Sequence, residues 1–355
     1  MKVMVLGHLG GASNGKFGGA EKSMVKLANW LSRRCETVLV SVDGSCDSFE
    51  ILPSVVCDFY ETDHSNKLFN NICLRRNSLR AIRTHKPDIV VGFWIQSTFY
   101  VSSYCKRHRI KLFYTERNDP RRQYGRLLRT MREILVSRCD GVVFQTNDAM
   151  SYFGEDVQKK SIVIHNPVYS CAKTICSLPD GRIVSVGRLS PQKNHKLLIE
   201  AFSRIAPVFP SCRLEIYGEG PLKDELLVFV RSLNLDGKVL FPGTFKDVLD
   251  RIWSASLFVL SSDYEGMPNT LLEALSLGLP CISTDCPCGG PREIIDNGEN
   301  GILVPVGDVS SLSEAMLRVL SDPTLSTSMR HEAIMICDTH NEDKIFQMWY
   351  DFITK

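Results

Sequence analysis

The stretch LFVLSSDYEGMPNTLLEALSLGLPCIS, residues 257–283, decides the fold. Its first four residues are an unbroken apolar run, short enough for a strand buried on both faces. A polar loop containing Gly266 and Pro268 follows. Apolar residues then recur at helical spacing, and 280–283 opens a second strand. A strand, a helix and another strand in succession are the unit from which parallel sheets with helical faces are built.

Working outward, the same alternation fills the chain. Before this unit lie strands at 2–8, 37–42, 54–60, 88–93, 111–115, 141–145 and 161–164, with helices around 20–33, 66–85, 97–108, 121–138 and 147–153. After His165-Asn166-Pro167 the sequence turns polar and irregular up to Gly181, and the alternation restarts at 182–187, 213–217, 238–241, 257–260, 280–283 and 302–304. The expected fold class is therefore α/β, with two doubly wound, Rossmann-like domains facing each other across a cleft. The boundaries expected are 1–168 and 176–340, and ligands are expected at the carboxyl ends of the strands. A last helix, 341–355, carries Phe346, Trp349, Tyr350 and Phe352 as a stripe suited to core packing and is expected to pack back on the N-terminal domain.

Composition narrows the functional classes. Residues 1–170 hold 25 Lys/Arg against 16 Asp/Glu, a net of +9, whereas 171–355 hold 17 against 24, a net of −7. A basic half beside an acidic half suits a protein with one domain facing something anionic. No run of about 18 apolar residues could span a bilayer, and the chain begins directly on a strand, so a cytoplasmic protein is expected. The 13 cysteines contain no C-x-x-C pair; those in apolar segments (Cys35, Cys73, Cys139, Cys212, Cys281) read as reduced core residues. Cys286-Pro287-Cys288 has no nearby histidine to complete a metal site. No resident cofactor and no metal are called for, and no recognition helix points to nucleic acid.

Three loops concentrate the chemistry. Gly10-Gly11 through Gly18-Gly19-Ala20-Glu21 follows the first strand and opens a helix, where backbone amides can approach an anion. It has neither the dinucleotide nor the P-loop spacing. In GRLSPQK, 187–193, a strand end brings Arg188 and Lys193 to one loop, where two cations could hold a diphosphate without a metal. In EGMPNTLLEA, 265–274, Glu265 and Glu273 flank a loop-to-helix junction whose Gly266-Met267-Pro268-Asn269 backbone would offer amides to hydroxyls and phosphate oxygens.

The last motif has the E-x7-E form, and with its Arg/Lys partner loop the chain resembles glycosyltransferase family 4, of GT-B fold. The resemblance extends over GGAEKSMVKLANWL (18–31), YTERND (114–119), IHNPV (164–168), VGRLSPQKNHKLLIEAF (186–202), IYGEGPLKDEL (216–226) and CGGPREII (288–295). It implies that Gly18 and Gly19 lie near donor phosphates and acceptor, and that Arg188 and Lys193 neutralise a leaving diphosphate. It further implies that Glu265 and the amides after it bind the donor sugar, the Thr270 and Leu271 amides the phosphate, and Glu273 the ribose. Where many relatives read Glu-His, this chain reads Glu116-Arg117; these two, with His8 at the end of the first strand, are carried as acceptor-side residues, and no general base is assigned.

The family resemblance implies retention of anomeric configuration without a dedicated nucleophile, with electrostatic stabilisation of the departing diphosphate as the main device. No D-x-D occurs in the chain, so the two cations are expected to do a metal's work. The expected partners are a UDP-sugar donor, a polyprenyl-diphosphate-linked glycan acceptor, and a membrane surface contacted peripherally through the basic N-terminal domain, including the arginine-rich 117–132. The competing readings are a nucleotide-sugar 2-epimerase of the same fold and a non-catalytic anion-binding protein.

Overall fold

In the computed structural model, residues 1–10, 19–44, 49–62, 67–122, 125–169, 171, 176 and 179–355 are described. The backbone divides into two units, Met1–Asn166 with Asp343–Lys355, and Pro167–Glu342. In the first, the described strands are β1 (Lys2–Gly7), β2 (Glu36–Ser41), β3 (Val55–Phe59), β4 (Ile89–Gly92), β5 (Lys111–Glu116), β6 (Gly141–Phe144) and β7 (Ser161–Val163). They form one parallel sheet in the order β3-β2-β1-β4-β5-β6-β7. Val3, Met4, Val5 and Leu6 are all fully buried, which is why β1 reads as a continuous apolar run: side chains on both faces lie under helices.

The helices of this unit are α1 (Gly19–Leu31), α2 (Lys67–His85), α3 (Ile95–His108), α4 (Arg126–Arg138), α5 (Asn147–Ser151) and α6 (Glu155–Gln158). Helix α4 begins later than the 121 start its sequence suggests. The Asp119 carboxylate accepts the Arg121 amide (2.9 Å) and the Asp119 carbonyl the Arg122 amide (3.3 Å), so the chain turns there before Gly125 leads into the helix. The arginine-rich stretch is also not one solvated face, because Arg132 is completely buried, donating to the Pro120 carbonyl (2.8 Å) and to Glu133 (3.0 Å).

The second unit holds β8 (Arg182–Val186), β9 (Arg213–Tyr217), β10 (Val239–Gly243), β11 (Leu257–Leu260), β12 (Cys281–Thr284) and β13 (Gly301–Val304). These are parallel in the order β10-β9-β8-β11-β12-β13. Around them lie α7 (His195–Ile205), α8 (Lys223–Ser232), α9 (Val248–Ile252), α10 (Asn269–Ser276), α11 (Val309–Ser321), α12 (Pro323–Ala333) and α13 (Ile336–Thr339). Two apolar cores sandwich the sheet, one centred on Leu198, Phe202 and Ile216, the other on Phe258, Leu271 and Leu275.

The final helix, α14 (Glu342–Thr354), packs in the first unit. Its aromatic stripe is core: Trp349 stacks on Phe93 (6.2 Å), Phe346 and Tyr350 meet Trp30 (6.1 and 6.3 Å), and Phe352 meets Phe113 (5.4 Å). The Trp30 indole N–H, which burial would otherwise strand, donates to Asp343 (2.7 Å). The five cysteines expected as reduced core residues are free, but only Cys139, Cys212 and Cys281 are buried, Cys35 and Cys73 being half-buried, and Cys171 and Cys337 are joined in a disulfide across 166 residues. Local spacing carries no trace of such a pair.

Candidate functional site

In both sheets the strand order reverses beside the first strand, between β1 and β4 and between β8 and β11. Loops leaving the carboxyl ends of the two central strands diverge at such a point and leave room for a ligand.

In the second unit this point is occupied by the loops after β8, β11 and β12. Lys193 reaches Glu265 at 2.6 Å, and both side chains are largely shielded from water. The same Glu265 oxygen accepts the Ser262 hydroxyl (2.7 Å), and its second oxygen takes a long bond from Gln192 (3.4 Å). The loops are also stitched by both backbone and side-chain bonds. Asp263 donates its amide to the Gln192 carbonyl (2.9 Å), Ser261 its hydroxyl to the Lys193 carbonyl (3.0 Å), and Asn194 its amide group to the Asp263 carboxylate (2.7 Å). Glu265 is tied to the third loop by its own amide, which donates to Pro287 (2.8 Å), and by its carbonyl, which accepts from Cys288 (3.1 Å). Burial first, and then the negative Glu265 carboxylate, push the Cys286 thiol up to about 12, so it is no nucleophile at neutral pH.

Glycines let the loops approach. A side chain on Gly218, which has a positive φ, would stand 2.0 Å from the Gly187 carbonyl oxygen, and one on Gly290 would stand 1.7 Å from that of Gly266. Thus IYGEGPL presses the Arg188 loop from one side, and CGGP presses the Gly266 loop from the other.

Arg188 is exposed and makes no ion pair among the described residues. Gly266, Met267 and Pro268 are buried and lead into α10 at Asn269. The Leu271 amide donates to the Pro268 carbonyl (3.1 Å), while the Thr270 hydroxyl is buried without a hydrogen-bond partner in the first turn. Glu273 lies half-buried one turn along the same helix.

The first unit holds the remaining candidates as a separate set. His8 meets Asp43 (3.0 Å) and packs against Trp94 (5.3 Å between ring centres). Burial alone would raise the Asp43 carboxyl, yet His8 and the Gly10 and Leu9 amides hold it below the ordinary carboxylate value. Glu116 is buried, accepting from the Tyr114 hydroxyl (3.3 Å) with Arg132 at 3.7 Å. Arg117 donates to Ser23 (2.9 Å) and Asn166 (2.6 Å), and Ser23 in turn donates to the Gly19 carbonyl (2.8 Å). Gly19, Ser23, Arg117 and Asn166 are therefore one network; Gly18 lies outside the described residues.

Sequence reasoning missed Ser262, Gln192, Asn194 and His195. Gln192 carries no local signal, since its partners, Tyr264 and Glu265, lie in another loop. Asn194 reads locally only as the cap of α7, where it accepts the Leu197 amide (3.3 Å), and Ser262, three residues before Glu265, only as a loop serine. His195 begins α7 with 3% exposure against the backbone of Gly187 and Arg188, and neither ring nitrogen has a hydrogen-bond partner. Burial, and then the Lys193 charge, lower its pKa to about 4.

With this geometry in hand, comparison with known proteins is direct. Residues 17–169 match the Glycosyltransferase Family 4 model, and 177–335 match Glycosyl transferases group 1. A Campylobacter jejuni enzyme named N-acetylgalactosamine-N,N'-diacetylbacillosaminyl-diphospho-undecaprenol 4-alpha-N-acetylgalactosaminyltransferase is 36% identical over 44% of this chain and 42% of its own. The Escherichia coli UDP-Gal:alpha-D-GlcNAc-diphosphoundecaprenol alpha-1,3-galactosyltransferase is 32% identical over 47% and 45%. The chain spans less than two thirds of the length of the first curated relatives it matches. Among solved structures, HepE of Anabaena with UDP superposes with a TM-score of 0.83 over 100% of both chains at 18% identity, a likeness of fold. The two adjoining matches, with the parallel sheets beneath them, establish that the chain belongs to the GT-B glycosyltransferases, a family 4 half followed by a group 1 half.

Proposed function

We propose that the chain is a retaining hexosyltransferase that moves a hexose or N-acetylhexosamine from a UDP-sugar to a polyprenyl-diphosphate-linked glycan in bacterial surface-polysaccharide synthesis. In this reading the Pro167–Glu342 unit binds the nucleotide sugar and the other unit the acceptor. The observation that carries it is the Lys193–Glu265 pair beside the start of α10, with exposed Arg188 on the same loop as Lys193. Lys193 keeps further N–H groups after pairing with Glu265 and would meet the diphosphate together with Arg188. The amino end of α10 adds its partial positive charge, and the Thr270 hydroxyl is free to donate to a phosphate oxygen. Glu273 would take the ribose hydroxyls, and Glu265 with the 266–269 backbone would take the sugar.

The bond from the anomeric carbon to the diphosphate breaks as the acceptor oxygen bonds on the same face, and the acceptor proton leaves with the diphosphate. Charge stabilisation of that leaving group is then the main catalytic device, and loss of one such contact typically costs about 10²–10³ in rate. The absence of D-x-D from the sequence supports a metal-independent reaction. In the acceptor unit, Arg117, Glu116 and His8 would stand on the acceptor side. The names of the Campylobacter and E. coli relatives support a lipid-diphosphate acceptor, reached by peripheral contact of the basic unit with the cytoplasmic face of the membrane.

The test is saturation-transfer NMR against a panel of nucleotide sugars, with and without EDTA, repeated on Glu273→Ala. Binding of a UDP-sugar that survives EDTA and weakens in the variant is expected. If no nucleotide sugar binds, the transferase reading fails.

A further inference from the structure

The first unit has a second cationic feature, away from the groups assigned above. Helix α2 contains no Asp or Glu, and its neighbour α3 contains none either, ending on Lys106-Arg107-His108 before Arg109. Arg75, Arg76, Arg80 and Arg83 are exposed, and none is salt-bridged among the described residues. The inner side of α2 is fixed by buried Leu74, Ser78, Ala81 and Ile82. The outer side is therefore also fixed: Phe69, Ile72, Arg76, Arg80 and Arg83, at steps of three or four residues, share one stripe.

Apolar and cationic groups are segregated along that stripe. Phe69 and Ile72, at 52% and 56% exposure, occupy its first turns, and the arginines its last. At 1.5 Å per residue the two ends lie about 20 Å apart. The arginine end opens on a surface concavity of about 470 Å³ lined by Arg76, Leu79, Arg80, Arg83 and Thr84. Two of its guanidinium groups rest near aromatic faces, Arg80 at 5.8 Å from Tyr60 and Arg83 at 5.8 Å from Tyr104, which limits their freedom before anything binds.

We propose that this outer face of α2 is a docking surface for an anionic lipid bilayer, with Arg76, Arg80 and Arg83 on headgroup phosphates and Phe69 and Ile72 in the headgroup–acyl boundary. Guanidinium groups bind phosphate oxygens in pairs of parallel bonds. A soluble polyanion would engage the arginines but gives Phe69 and Ile72 nothing to bury against, whereas a membrane interface accepts both kinds of side chain at once. Neither helix carries a carboxylate of its own, and Asp58, which meets the end of α2 from β3, is engaged by His85 (2.7 Å) and the Tyr60 hydroxyl (2.6 Å). This surface deepens the proposed function, since it supplies the membrane contact that a lipid-linked acceptor requires.

The test is co-sedimentation of the full chain with vesicles of phosphatidylcholine alone or with a third of phosphatidylglycerol, at low and high salt. Wild type is expected to bind only the anionic vesicles and to lose most binding at high salt. Arg76→Gln/Arg80→Gln/Arg83→Gln should weaken binding about 100-fold, and the Glu triple variant at least as much. Phe69→Ser/Ile72→Ser should weaken binding at low salt without changing the salt dependence. UDP-sugar binding, read by NMR, should be unaltered in all three variants, and the Trp30–Phe346 core of the first unit should melt as in wild type, which shows that unit folded. Absence of wild-type binding, or wild-type binding in the Gln variant, overturns the proposal. So does an unaltered Ser variant, which would mark a soluble-anion site. Vesicle binding without any nucleotide-sugar binding would sink the proposed function and leave this surface standing.

Discussion

Glu265 gathers the side chains of two loops in the group 1 half. Its carboxylate holds Lys193 and Ser262 on one oxygen, so replacing the charge disturbs the cation as much as the anion. Glu265→Gln keeps the shape and removes the charge. We expect it to lower kcat/KM by about 10²–10³ and stability by about 2 kcal/mol, the worth of a hydrogen bond to a charged group. Equal transfer kinetics in wild type and variant would remove Glu265 from the site.

His195, beneath the Arg188 loop, gives a pH signature. Its pKa is depressed from 6.5 to about 4, so as pH falls the unfolded chain takes the proton first. The stability it contributes is complete above about pH 6.5 and is lost as pH drops toward 4, by about 3 kcal/mol at 1.36 kcal/mol per unit. His195→Phe, which removes two buried nitrogens without partners, should lose less stability over that range and match or exceed wild type at pH 7. Denaturant midpoints between pH 4 and 7 measure it, and parallel curves for the two proteins would refute it.

Between elements, backbone contact rather than side-chain chemistry sets the geometry. Gly290 packs on the Gly266 carbonyl with no room for a methyl group, whereas Gly307, with φ of +77°, has nothing within 4 Å of where its Cβ would stand. Gly290→Ala should displace the loop entering α10 and lower kcat/KM on the order of 10²-fold, the usual consequence of misplacing reacting groups by about 1 Å. Gly307→Ala should cost about 1 kcal/mol of conformational strain and leave the rate alone. Steady-state kinetics with thermal melts separate the two; a Gly290 variant with normal rates would show that the loop relaxes freely.

The strands were legible because a doubly covered strand must be apolar throughout, as 257–260 and 3–6 are. The loops of the second unit were legible as motifs, but the Lys193–Glu265 bond was not. It exists because β8 and β11 are neighbours in the sheet, a fact of topology 72 residues long. The start of α4 was misplaced because Asp119 holds a turn that composition alone does not register.

Across the whole molecule the chain passes between its two units twice, after Asn166 and again after Glu342. The segments next to both passages are fastened together within the second unit. The Val168 amide donates to the His340 carbonyl (2.7 Å), Val168 bridges Asn341, and Cys171 is bonded to Cys337. The disulfide closes a loop that takes in nearly all of that unit, so in the unfolded state it removes much of the freedom that folding must overcome. A native disulfide of this kind typically contributes about 2–4 kcal/mol. The first unit lies outside the loop and holds its own late helix by aromatic packing, so the effect belongs to one unit alone. Two thermal transitions, or one with two spectroscopic probes, should therefore respond unequally to a reductant: dithiothreitol lowers the transition of the second unit and leaves the Trp30–Phe346 core unchanged. Cys171→Ser should melt where reduced wild type melts and be indifferent to the reductant. If wild type itself is indifferent, the two thiols are not joined in solution, and the hydrogen-bonded bridge at Val168 and Asn341 alone fastens the two passages.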